Sequence, residues 1–160
     1  MTWRHSRGFT IIELISIMII IGILAVTAMP SLKSAMSFRD VEFRDRVIAA
    51  LRYAQKTSTS HRRLVCATLT QTSVTLTLDS SNPKTGTCDA ALPIPGVATP
   101  QLSAHQNGFA NAVAPSVLFF QPDGRMTSDS AGATITDFSN TIDGNAVVVR
   151  GATGYVGDGS

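Results

Sequence analysis

Between Phe9 and Met29 the chain reads FTIIELISIMIIIGILAVTAM, a 21-residue run whose single charge is Glu13. As a helix it spans roughly 30 Å, the thickness of a hydrocarbon core. After Pro30 the pattern changes without losing its helical period. Met36, Phe43, Val47, Ala50, Leu51 and Ala54 recur on one side, with Val41 and Ile48 widening the stripe towards its edge. That spacing predicts an amphipathic extension over 30–60. Asp40–Arg44 and Glu42–Arg46 are acid-first i,i+4 pairs, each worth about 0.2–0.5 kcal/mol on a solvated face.

From residue 61 the period shortens to two. Val65–Leu69 and Val74–Leu78 alternate apolar and polar around a short Gln71-Thr72 turn. Ser116–Gln121, Ala133–Phe138, Ala146–Arg150 and Gly154–Val156 are further expected strands, and Asp143-Gly144-Asn145 is a hairpin-type turn. Residues 80–115, rich in Pro, Gly, Ala and Asn, form an expected long irregular loop. The expected fold class is α+β: a long N-terminal helix, transmembrane over 9–29, packed through 30–60 on an antiparallel β-rich head at 61–160.

Length and composition narrow the class. At 160 residues, 44% apolar and 15% charged, the chain suits one ordinary domain with one appended element, and disorder is excluded. Two cysteines rule out a disulfide-dense miniprotein, and one long apolar run rules out a polytopic membrane protein. Charge is uneven: residues 1–63 hold ten Lys/Arg against four Asp/Glu, and residues 64–160 hold three against seven. Arg4 and Arg7, with His5, directly precede the apolar run, which places that end in the cytoplasm and the head outside. Lys33 and Arg39 weaken this bias from the far side. A cleaved secretory signal needs a shorter apolar core and a small-x-small site, which Pro30-Ser31-Leu32-Lys33 supplies poorly. A plain signal anchor stays open at this point.

The string Gly8-Phe9-Thr10-Ile11-Ile12-Glu13-Leu14 decides between them. A carboxylate at a membrane-helix centre costs about 2.5–3.5 kcal/mol, and even near the end of the run it needs a partner. A free amino terminus at Phe9, on this or a neighbouring helix, would supply one. In these residues the sequence resembles the type IV pilin and pseudopilin family, whose signature is G-F-T-[LI]-[IL]-E before an apolar helix. The resemblance implies cleavage after Gly8 by a prepilin peptidase and N-methylation of Phe9. It implies pairing of Glu13 with a neighbouring subunit's amino terminus during assembly. Gly22 and Pro30 fall where pilins place helix-weakening residues, and proline removes a backbone hydrogen bond there.

The C-terminal half is similar to the GspH/FimT class of minor pseudopilins. The matching residues are Val117, Phe119, Gly124, Arg125, Val147 to Val149 and Thr153 to Val156, with Leu51-Arg52-Tyr53-Ala54-Gln55 at the helix end. The resemblance implies a structural subunit held in the bacterial inner membrane, with its head in the periplasm. It would then assemble, through an inner-membrane platform, with other pilins or pseudopilins into a type IV pilus or a type II secretion pseudopilus. The lipid bilayer and the prepilin peptidase are the other implied partners.

On this topology Cys66 and Cys88 face an oxidising compartment. A bridge would close a loop of about 23 residues, worth roughly 3 kcal/mol; two reduced, buried thiols are the alternative. No enzyme motif and no cofactor signature is present, and His61 and His105 read as surface histidines. Asp79-Ser80-Ser81-Asn82 and Asp143-Gly144-Asn145 are explained by turn chemistry before calcium, and no metal site is expected. DNA is the alternative partner, as for FimT-type subunits in natural transformation. Arg52, Lys56, His61, Arg62 and Arg63 cluster at the helix end, and Arg125 sits in a Gly-Arg turn. A head carrying −4 beyond residue 63 is poorly equipped for it. Compensation of the helix dipole explains the cluster without DNA. The overall +2 comes from Arg4 and Arg7 alone, so a chain cut after Gly8 is neutral.

Overall fold

A computed structural model describes residues 10–104 and 107–159, with the side chains of 26–40 excepted. The chain divides into two compact units, Met1–Ser37 and Phe38–Ser160. Helix α1 (Ile11–His61) contributes to both.

Local chemistry sets both helix ends. Thr10 precedes the first turn and accepts the Glu13 N–H on Oγ1 at 3.3 Å, half of a capping box. At the other end Arg62 takes a left-handed φ of 52°, and Arg63 N–H reaches back to Ser58 O at 3.1 Å. This six-to-one closure usually recruits glycine at the left-handed position. The final turn, Thr57 to Ser60, returns its hydroxyls to backbone carbonyls: Ser58 and Thr59 to Gln55, Ser60 to Thr57.

In the second unit the predicted stripe is the buried face of α1: Phe43, Val47, Ile48, Ala50, Leu51 and Ala54 are buried, and Val41 is exposed at its margin, while the side chain of Met36 lies outside the described residues. The larger sheet contains β1 (Val65–Leu69), β2 (Ser73–Leu78), β3 (Ala90–Ala91), β4 (Gln101–Ser103), β5 (Val117–Phe120) and β6 (Met126–Thr127). It runs β3-β2-β1-β5-β6, with β4 also on β2, and its pairs are antiparallel. The first hairpin forms as expected, with Val65 opposite Leu78 and Leu69 opposite Val74. A smaller sheet orders β7 (Phe138–Ile142), β8 (Asn145–Val149) and β9 (Val156–Gly157). Alternate residues of both sheets (Val65, Ala67, Leu69, Leu118, Phe120, Val147, Val149) join the helix stripe in one hydrophobic core. The fold is α+β, a helix on antiparallel sheet, as in pilins.

Three expectations are corrected. Ala133–Phe138 is not a strand, although Ala-Thr-Ile-Thr alternates. The Asp129 carboxylate accepts the N–H groups of Gly132, Ala133 and Thr134 at 2.7, 3.0 and 2.6 Å and wraps the chain around itself. Only Ile135 makes a bridge, to Thr127, and the strand begins at Phe138. The last strand is shifted and short, because Gly154 turns the chain at φ 62° and Gly154 N–H bonds Arg150 O at 2.7 Å. The 80–115 segment is not simply a loop: it supplies β3 and β4 and buries Leu92, Ile94, Leu102 and Phe109. Phe109 stacks edge-to-face between Phe43 and Phe138, with centroids at 6.4 and 6.2 Å. The adjacent Gly108 is obligatory, since a Cβ there would collide with Gln71 O. The Asp143-Gly144 turn has φ values of 49° and 75°, which give the type I′ geometry that suits a two-residue hairpin.

Two predictions test these contacts. Phe109→Ala should cost the full chain about 3–5 kcal/mol in denaturant unfolding; a loss under about 1 kcal/mol would show that the segment is not core. Backbone donation, first from Ala133 and Thr134, holds Asp129 at about 2. Its stabilisation is therefore complete above the unfolded value near ~3.9 and is lost as pH falls towards about 2. Asp129→Ala should flatten the acid limb of a melting-temperature titration in that window, and an unchanged limb would contradict the assignment.

Candidate functional site

The first unit holds the amino-terminal signal. Gly8 and Phe9 lie outside the described residues. Glu13 is in the first turn of α1, exposed, with its backbone N–H taken by Thr10. Ile11, Ile12, Leu14, Ile15 and the large apolar side chains onward to Leu24 are exposed, Ile11 at 81% and Leu24 at 60%. A helix segment that exposes large apolar side chains on every side calls for an apolar surround, lipid or other helices. Among the described residues no helix is long and apolar enough to cross a membrane. The expected span 9–29 includes Phe9 and the side chains from Val26 on, which lie outside them. A Cβ added at Gly22 would meet nothing within 4 Å, so no packing within the chain demands a glycine there. The helix is continuous past Pro30, whose side chain lies outside the described residues.

The second unit disperses the basic residues that the sequence places together. Arg52 donates from Nε to Val156 O at 3.0 Å. Arg63 donates to the carbonyls of Asp79 and Ser80. Arg125 is bound by Asp123 at 2.6 Å, and that guanidinium, ahead of burial, moves the Asp123 carboxyl below its ordinary value. Lys56, His61 and Arg62 are exposed at the helix end. Of the two acid-first pairs, Glu42–Arg46 closes at 2.6 Å. Arg44 instead binds Asp45 at 3.1 Å and Ala146 O at 3.2 Å, while the Asp40 side chain lies outside the described residues. His105 lies outside them too.

Cys66 and Cys88 are bridged, with Cα atoms 6.2 Å apart. Around that bridge the 79–89 strap is tied down by contacts the sequence hid. Asp79, fully buried, accepts N–H groups from Ser81, Thr85 and Gly86 at 2.9, 2.6 and 2.8 Å. Burial pushes its carboxyl up, and these donors together outweigh burial and hold it below the ordinary value. An aspartate so surrounded by donors is a loop clasp, not a cation ligand. Ser80 binds Asp89 through N and Oγ at 2.8 and 2.6 Å. Lys84 reaches Gln121 Oε1 at 2.6 Å and two carbonyls, Ser130 O and Ala131 O. Asp-Ser-Ser and Asp-x-x-Gly at 79–81 and 129–132 were the available turn signals; the partner of Lys84 left none.

No curated protein and no solved structure matches the chain. The double variant Cys66→Ser, Cys88→Ser should lose about 3 kcal/mol in denaturant unfolding yet keep the strap in place. Loss of amide protection at Thr85 and Gly86 in that variant would show that the clasp depends on the bridge. Residues 3–29 match the family model described as the prokaryotic N-terminal methylation motif, so the chain carries the amino-terminal signal of type IV pilin precursors.

Proposed function

We infer that the protein is a minor pilin or pseudopilin, a structural subunit and not an enzyme. The observation that carries this reading is the motif at 3–29 joined to a helix whose large apolar side chains from Ile11 to Ile21 are exposed. The motif implies a membrane-anchored precursor, processing by prepilin peptidase and assembly with other pilins. The finer reading is as follows. The precursor sits in the bacterial inner membrane with its N-terminus cytoplasmic and its head periplasmic. Cleavage follows Gly8, and Phe9 is methylated. The helices then leave lipid and bundle in a filament core, where Glu13 meets a neighbour's amino terminus instead of remaining an unpaired carboxylate.

Gly22 and Pro30 are the positions at which that helix can loosen. A disulfide in the head suits the periplasm. Placement in the GspH/FimT class is supported by where its matching residues fall. Val117 and Phe119 are on β5, Gly124-Arg125 in the turn before β6, and Val147–Val149 on β8. DNA uptake has less support, since Arg63 and Arg125 each have acceptors within the chain and the head beyond residue 63 is acidic.

Glu13→Ala should leave processing intact and sharply reduce recovery of the chain in sheared filaments; normal recovery would remove the role given to the carboxylate. Gly8→Trp should leave the uncut form, heavier by the leader in intact-mass spectrometry. A cut product from that variant would place the processing site elsewhere.

A further inference from the structure

Past residue 63 the head's carboxylates are satisfied internally with one exception. Asp79 and Asp129 accept backbone N–H groups and Asp89 binds Ser80. Asp123 pairs with Arg125, Asp137 with Arg150, and Asp158 approaches Arg44 at 3.9 Å. Asp143 is the exception: among the described residues its carboxylate has neither hydrogen bond nor ion pair. It is exposed at the tip of the β7–β8 turn, a projecting two-residue type I′ loop.

The cations of the same unit show a matching remainder. Arg46, Arg125 and Arg150 are paired with carboxylates, and Lys84 is enclosed by three oxygens. Arg52, which also donates to Val156 O, and Lys56 are one helical turn apart and exposed, and with Arg62 at the helix end they meet no carboxylate among the described residues. With Gln55, Thr59, Thr153 and Tyr155, Arg52 and Lys56 line an open cleft of about 520 Å³ that contains no acidic residue.

These two remainders lie at different levels of the head. The β8 residue Ala146, just past the Asp143 turn, is held by Arg44, whereas Arg52 and Lys56 are eight and twelve positions further along α1. That separation is about 12–18 Å of helix rise, too far for one copy to pair the groups itself. A second copy displaced along the helix direction can do so. We propose that Asp143 of one copy docks into the Arg52–Lys56 cleft of a second copy, making a head-to-tail contact between heads. Because the two surfaces differ, the contact is heterologous and repeats without closing, which is the geometry of a filament and not of a two-fold dimer. It rests on the filament reading above and adds a specific electrostatic register to it. Charge pairs of this kind set register and orientation more than bulk affinity.

The test is a reciprocal charge exchange in the full chain, scored by its recovery in filaments sheared from cells. Asp143→Lys and the pair Arg52→Glu, Lys56→Glu should each lower recovery about tenfold. All three substitutions together should restore it to within about twofold of the unmodified chain. Asp143→Asn keeps a residue tolerant of the left-handed turn and should also lower recovery, which separates lost charge from a damaged hairpin. Asp143→Cys combined with Lys56→Cys should give a disulfide-linked ladder, while either cysteine alone should not. Full recovery of the single-site variants overturns the contact. So does a triple variant that stays low: the cleft then serves another anion, such as lipid phosphate or nucleic acid. If the unmodified chain is missing from filaments, the filament reading fails and takes the contact with it. If the unmodified chain is present without a ladder, only the contact fails.

Discussion

The structure depends on how one helix disposes of its apolar surface. In the second unit α1 has an apolar stripe, and a sheet covers it: Val47, Leu51 and Ala54 are fully buried. In the first unit the helix exposes large apolar side chains on every side. Burying a Leu or Ile side chain is worth roughly 1.5–3 kcal/mol. A succession of exposed ones from Ile11 to Leu24 therefore represents a large unspent driving force. Lipid can satisfy it, and so can other helices of the same kind. A helix that either surround can accommodate is what a subunit needs if it must leave a membrane for a filament.

The head meets a different difficulty. Its apolar content is modest, and long stretches between strands are rich in small and polar residues. Carboxylates take over where packing is thin. Asp79 and Asp129 each gather three backbone N–H groups, so they organise a segment much as a short strand pairing would. Lys84 does the same with oxygens. Asn140, buried within β7, is satisfied by exchanging hydrogen bonds with the backbone of Asn111. These polar clasps leave few groups unpaired, and for that reason the exposed Asp143 and the Arg52–Lys56 cleft stand out.

Much of the fold was legible in the chain itself. The change of period after residue 60 separated helix from sheet. The first hairpin and the β7–β8 turn followed from alternation and from Asp-Gly chemistry. The amino-terminal signal was legible because its pattern is local: a glycine, a phenylalanine and a carboxylate lie within six residues, directly before an apolar run. The basic cluster misled in the opposite way. Arg52 and Arg63 are close in sequence, yet one bonds the C-terminal strand and the other the Asp79 strap.

Sequence by itself determined where the helix ends, which face of it seeks a core and that its amino-terminal end carries the methylation motif. Each of these depends on residues within a turn or two of one another. Only the tertiary structure decided which acidic side chain clasps which loop, that Phe109 in a glycine-rich segment enters the core between Phe43 and Phe138, and that no strand forms before Phe138 in the 133–138 stretch. Alternation reports which residues can face a core, but a strand also needs free backbone donors. At Gly132 to Thr134 the Asp129 carboxylate had already taken them.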